Sequence, residues 1–231
     1  MFKIITQTDD FVVVAKSAGV NFHDEEHHGS GLFSQVKKQM KKQFSITELY
    51  PIHRLDKMTS GLILFAKNLK SAQVFGQLFE AHNIEKYYLA ISDKKPTKKQ
   101  GLIKGDMAKS RRGMFKLLRS QNNPAVTQFF SFSISNKQRL YLLKPHSGKT
   151  HQLRVALSSI GAPILGDPLY SSNSIADRGY LHAYALRFEY LATLYEFILA
   201  PSEGEFYLTT AVHSKLAEIE QPWLLNWPKK V

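Results

Sequence analysis

The sequence predicts an α+β fold built on a mixed, mostly antiparallel sheet flanked by helices and loops. Three observations predict it. Short apolar, often β-branched runs recur along the chain, as at 12–14 (Val-Val-Val) and 62–66 (Leu-Ile-Leu-Phe-Ala). Segments of helical period are interspersed, but without long strand–helix–strand alternation. A glycine-rich phosphate loop, the mark of many parallel nucleotide-binding sheets, is missing.

The elements follow in order. Residues 2–16 read as two short strands around a turn at Thr8-Asp9-Asp10, and Gly19 marks a break. From Ser30 to Phe44, Leu32, Phe33, Val36, Met40 and Phe44 recur at helical spacing, with Lys37, Lys38, Lys41 and Lys42 mostly on the other face. The run 62–66 is a buried strand. Ser71 to His82 is an amphipathic helix through Val74, Phe75, Leu78 and Phe79. Residues 87–91 form a strand, and the stretch 94–101 is a basic loop punctuated by Pro96 and Gly101. Val126 to Ile134 alternates, with Phe130 and Phe132 facing one way and Thr127, Ser131 and Ser133 the other; 140–143 pairs with it. Thr150 is placed to cap a helix that runs to about Ile160, where Gly161 stops it. Residues 180–190 and 196–199 read as late strands.

Composition bounds the function. The chain has 231 residues, with 31 Lys and Arg against 19 Asp and Glu, a net charge of +12. At 43% hydrophobic, with 15 Phe and 10 Tyr, it is not a disordered chain. With no repeat and no evident linker, a single domain over 1–231 is expected. Cysteine is absent, which excludes disulfides, thiolate nucleophiles and cysteine-ligated metals. No apolar run approaches the ~20 residues of a membrane span, and the N-terminus lacks a secretory pattern, so a cytoplasmic location is expected. The cationic surplus points to a polyanionic partner, of which nucleic acid is the commonest.

Three segments set ionisable residues among apolar ones. In the first, His53, Arg54, Asp56 and Lys57 immediately precede the buried strand. A carboxylate between Arg54 and Lys57 is suited to act as nucleophile or base, although a structural ion pair gives the same pattern. In the second, residues 84–90, a tyrosine at the start of a strand can stack on a base; Tyr87 and Tyr88 point to opposite faces. In the third, residues 144–157, His151 and Arg154 lie three apart near a helix start, where an anion or a carboxylate can be held. The loop 23–28 (His-Asp-Glu-Glu-His-His) carries metal-ligand residue types. No spacing assembles a ligand set there, so it reads as a solvated polar loop.

Taken in order, these segments resemble the RluA-type family of RNA pseudouridine synthases. The resemblance rests on His53-Arg54-Leu55-Asp56 with Thr59-Ser60-Gly61-Leu62, on Gly148-Lys-Thr-His-Gln-Leu-Arg154, on Gly166-Asp-Pro-Leu-Tyr170 and on Leu181-His182-Ala183. With the opening strands it spans about residues 2–200. It implies the pseudouridine synthase fold and the conversion of uridine to pseudouridine in ribosomal or transfer RNA, with neither cofactor nor metal; separately, a monomer is expected. It implies Asp56 as the catalytic nucleophile, with Tyr88 stacked on the base and Arg154 paired to Asp56. Arg54, His53, Leu153, His151 and Lys149 are implied around the substrate. The small RNA-binding module that often precedes this catalytic domain is not expected here. Departures from the family pattern are Ser17 for a proline, Lys149 for an arginine and Ala156 for a histidine; none touches the three chemical positions. The competing readings are a catalytically inactive RNA-binding protein of the same fold and a metal-dependent nuclease. The latter needs a carboxylate cluster, which the sequence does not supply around Asp56.

Overall fold

The computed structural model describes residues 2–229 except 26, 136 and 172–174. The strands are β1 (Phe2–Gln7), β2 (Phe11–Lys16), β3 (Tyr50–Pro51), β4 (Ser60–Ala66), β5 (Glu85–Ser92), β6 (Gln100–Gly105), β7 (Met107–Lys109), β8 (Phe115–Leu117), β9 (Ala125–Ser133), β10 (Arg139–Pro145), β11 (Leu181–Tyr190) and β12 (Thr193–Ile198). The helices are α1 (Leu32–Phe44), α2 (Leu69–Glu80), α3 (Gln152–Ser159) and α4 (Thr210–Glu218). One sheet runs β1-β2-β4-β11-β5-β10-β9-β6, while β7 and β8 form a separate ribbon. All pairings are antiparallel except β4 with β11. The architecture is therefore the mixed, mostly antiparallel α+β sheet expected.

The apolar runs have a plain cause. Val12 and Val14 of β2, with Ile63 and Phe65 of β4, pack under α1 through Leu32, Val36 and Met40. The alternate residues Phe11, Val13, Leu62 and Leu64 pack with Phe75 of α2. Both strands are buried on both faces, so neither shows polar alternation. β9 also has both faces covered. Phe130 meets Trp227 at 4.8 Å, and on the polar face the Gln152 amide donates to Thr127 Oγ1 and the Val126 carbonyl.

The middle of the sheet positions the site. β4 and β11 run parallel for only two pairs, Ser60 with His182 and Gly61 with Ala183. From Ala185 onward β12 occupies that edge of β11, and β3 takes the same edge of β4 at Phe65 and Ala66. Gly61 makes the close approach possible. Its φ is +110°, and a Cβ there would lie 2.3 Å from the Ala183 carbonyl oxygen.

Several boundaries differ from the sequence reading. α2 starts earlier, because Asn68 caps it by accepting from the Ser71 amide. Thr150 is not the cap of α3. His151 holds that position in the left-handed region (φ 57°) with no side-chain cap, and Gln152 begins the helix. The Gln152 carboxamide instead pins the turn before the helix, accepting from Ser147 Oγ and the Lys149 amide. Strands β3, β6, β7 and β8 and helix α4 are additional to the reading. β7 and β8 escape notice because three residues are too few to show a period, and β6 because Gly101 and Gly105 break up its short apolar pair.

Candidate active site

Asp56 lies on the loop between β3 and β4, and that loop is held from several sides. His53 Nε2 accepts from the Leu64 amide at 3.1 Å, and its ring stacks on Phe79. Burial, aided by Lys86, lowers the His53 pKa to about 3, so the ring is neutral and available as this acceptor. Lys16, at the end of β2, is 2% exposed. Its ammonium donates to the carbonyls of Ser17, Lys57 and Thr59, the last at 2.7 Å. Burial first, then Arg178, lowers its pKa to about 8. The Asp56 carbonyl accepts from the Thr59 amide at 3.0 Å, closing the turn.

The carboxylate of Asp56 meets Arg154 from α3, with Nη1 donating to Oδ2 at 3.2 Å. The two residues are 98 positions apart in sequence. Arg154 is itself held by Asp167, through Nε to Oδ2 at 2.7 Å and Nη2 to Oδ1 at 2.8 Å. Asp167 is fully buried and also accepts from the amides of Leu169 and Tyr170. The Arg154 guanidinium lies over the Tyr170 ring at 5.2 Å. Burial opposes its charge, but Asp167 and Asp56 outweigh it and raise its pKa.

The cations beside Asp56 in sequence are not its partners in space. Arg54 is exposed, and Lys57 reaches Glu25 at 3.7 Å. Arg154, the partner that the family resemblance implied for Asp56, makes the contact, rather than the two cations adjacent in sequence. On the helix side it resolves the choice between a phosphate and a carboxylate in favour of the carboxylate.

Asp56 and Arg154 form the wall between two clefts. The larger, about 680 Å³, is bounded by Gly19, Met58, Leu169 and Arg178. The smaller, about 430 Å³, holds Tyr88, Leu153, His53, Arg54, Lys86 and Lys149 with Asp56. Every residue expected at the site thus lines this second cleft, His151 included. Burial, then the charge of Asp56, pushes the Tyr88 phenol well above its usual range and keeps it protonated. Tyr87 points away as expected; its hydroxyl donates to Glu85 at 2.8 Å. His151 Nδ1 is 3.2 Å from the Tyr170 hydroxyl, and burial followed by Arg154 lowers its pKa.

Sequence reasoning missed two members of this arrangement, Asp167 and Lys86. Both stood inside quoted motifs, but nothing in spacing says that Asp167 grips Arg154. The acidic and histidine-rich loop at 23–28 serves the entry to α1. There Asp24 accepts from the amides of Gly29 and Gly31 and from Ser34 Oγ. Among the described residues no cluster of metal-ligating side chains is found, and no helix is long and apolar enough to cross a membrane. Glu26 lies outside the described residues.

Residues 10–159 match the family described as RNA pseudouridylate synthase. A protein of Haemophilus influenzae described as an uncharacterized RNA pseudouridine synthase is 45% identical over 216 residues, 93% of this chain and 94% of that one. Ribosomal large subunit pseudouridine synthase C of Rickettsia bellii is 31% identical over 74% of this chain and 58% of its own length. In structure, human RNA pseudouridylate synthase domain containing 1 matches with a TM-score of 0.71 at 25% identity, covering 87% of this chain and 84% of that chain.

Proposed function

Because this chain belongs to the RNA pseudouridylate synthase family and is an RNA-modifying isomerase, we propose that Asp56 is its nucleophile and that ribosomal or transfer RNA is its substrate. The observation that carries the assignment is the Asp56–Arg154 contact at 3.2 Å between two clefts. It aims one carboxylate, half-exposed, into space a nucleotide can enter, and fixes it from behind with a buried cation.

The reaction is an isomerisation. The bond from ribose C1′ to uracil N1 breaks, the freed ring turns, and C1′ bonds to C5. C5 gives up its proton and N1 gains one, so atoms and charge balance without an oxidant. Asp56 attacks C1′ or the uracil ring, or assists a glycal route; each needs a carboxylate at that place. Tyr88, kept protonated, is suited to stack on the base and to hold a hydrogen bond rather than to stand as a ready base. Leu153 adds an apolar contact in the same cleft.

A base inside a helix is out of reach of this cleft, so the target must be extruded at a cost of a few kcal/mol. Phosphate contacts offset that cost. Lys37, Lys38, Lys41 and Lys42 on α1 are exposed, as are Lys94, Lys95, Lys98 and Lys99. Exposed Arg111 and Arg112 stand at the tip of the β7–β8 ribbon. That ribbon is anchored beside the site, where the Phe115 amide donates to the Tyr170 hydroxyl at 2.8 Å and the Phe115 ring meets His151 edge-on.

The test uses unmodified ribosomal and transfer RNA transcripts. The wild-type protein forms pseudouridine at one or more positions, while Asp56→Asn forms none and still binds the RNA. Pseudouridine formed by Asp56→Asn at the wild-type rate refutes the nucleophile. Binding without product from the wild-type protein favours the inactive RNA-binding reading.

A further inference from the structure

A third cavity, about 580 Å³, adjoins the Asp56–Tyr88 cleft and shares His82, Ser147, Gly148 and Lys149 with it. We propose that it is a subsite for the nucleotide next to the target uridine, with Asn122 and Asn123 reading that neighbour's base. The proposal rests on the reading of the Asp56 cleft as the place of the target nucleotide.

The chemistry of its walls suits a nucleotide. Leu102, Pro124 and Val126 give an apolar floor on which a base can lie. Lys104 and Lys149 supply cations at the rim for phosphate. Its volume lies within the ~300–1,000 Å³ usual for small-ligand sites.

The two asparagines are built to present their side chains. Asp106 Oδ2 accepts from the Asn122 amide at 3.0 Å, and Oδ1 accepts from the Asn123 amide at 2.8 Å. The Asp106 backbone amide also donates to the Ser120 carbonyl at 2.8 Å, and the Leu118 amide donates to the Asp106 carbonyl at 2.7 Å. The loop is thus pinned by its backbone at both ends of one residue. Its carboxamides stay exposed at the cavity wall. A carboxamide carries a donor pair and an acceptor, which match the edge of an unpaired base. Lys149 Nζ donates to Asn123 Oδ1 at 2.8 Å. That bond orients Asn123 and ties the reader to the shared wall of the two cavities.

The shared wall makes the two sites adjacent, so consecutive nucleotides of one strand can enter them together. Both must then be unstacked, and the substrate is an unpaired segment such as a hairpin loop rather than a continuous duplex.

The experiment has two stages. Unmodified ribosomal and transfer RNA transcripts of the source organism are incubated with the protein, and the pseudouridines formed are mapped. The modified segment is then resynthesised with each of the four nucleotides on either side of the target, and kcat/KM is measured for each. The wild-type protein is expected to discriminate by about tenfold or more at one neighbouring position. Asn122→Ala combined with Asn123→Ala should reduce this to under about threefold, chiefly by lowering kcat/KM on the preferred sequence, with the melting temperature little changed. Discrimination that survives in the double variant, or its absence from the wild-type protein, overturns the subsite. No pseudouridine from the wild-type protein on any transcript sinks the underlying functional reading instead, and the subsite with it.

Discussion

Asp167 holds Arg154 along one edge of its guanidinium, through Nε and Nη2, and it does so while fully buried. The remaining nitrogen, Nη1, is the one that meets Asp56. The geometry of the Asp56 carboxylate therefore depends on a residue that neither cleft exposes as a chemical group.

Asp167→Asn keeps shape but loses the charge and one acceptor. Arg154 should then swing, and turnover should fall more than RNA affinity. Asp167→Ala leaves a buried guanidinium partly uncompensated, which typically costs about 3–5 kcal/mol. Urea unfolding of both variants, with single-turnover rates, separates the two effects. Arg154→Lys should fare no better, because an ammonium cannot bridge two carboxylates as a planar fork does. An affinity loss without a turnover loss would contradict the positioning role.

Stability should fall as pH drops below about 6.5, the ordinary histidine value. The folded-state pKa of His53 is lowered to about 3, chiefly by burial. That of His182 is lowered to about 4, also by burial. His182 is engaged at both nitrogens, by Ser60 Oγ at 2.7 Å and the Leu199 carbonyl at 2.8 Å. Below pH 6.5 the unfolded chain takes up protons that the folded chain refuses, so folding weakens; the loss ends near pH 4 for His182 and near pH 3 for His53. Denaturant melts of the wild type and of His182→Gln from pH 7 to 4 should show a shallower slope in the variant.

Gly61→Ala should destabilise the fold and, with it, the Asp56 loop. Its Cβ would meet Ala183 backbone atoms at 2.3 Å and 2.6 Å, and its φ of +110° is disfavoured for any other residue. Overpacking of this kind costs about 1–3 kcal/mol. Thermal melting checks the value; an unchanged midpoint would mean that β4 and β11 separate at no cost.

Arg111→Ala and Arg112→Ala should weaken RNA binding most at low salt. Each phosphate contact removed should flatten the slope of log K against log salt by roughly 0.7–0.9. Fluorescence anisotropy over a salt series reads this directly. A parallel shift with no change of slope would place these arginines off the phosphates.

The amino-acid pattern by itself determined a good deal. A β-branched run marked β2 and a fully apolar run marked β4, helical periodicity marked α1 and α2, and alternation separated Tyr87 from Tyr88. The motif around Asp56 and the block ending at Arg154 carried the family, because side-chain type and local order are properties of the chain. Apart from the Asp56–Arg154 pair, which the family resemblance implied, tertiary structure decided which charges meet. Arg54 and Lys57 sit beside Asp56 in sequence, yet Arg154, from 98 residues away, takes the contact. The short parallel meeting of β4 and β11 brings the β3–β4 loop close to α3. Contacts between distant segments depend on register and on close approaches such as Gly61 against Ala183, and periodicity does not encode them. The same holds for Asp167, whose part follows from its burial against Arg154, and for the asparagines that Asp106 pins beside the third cavity.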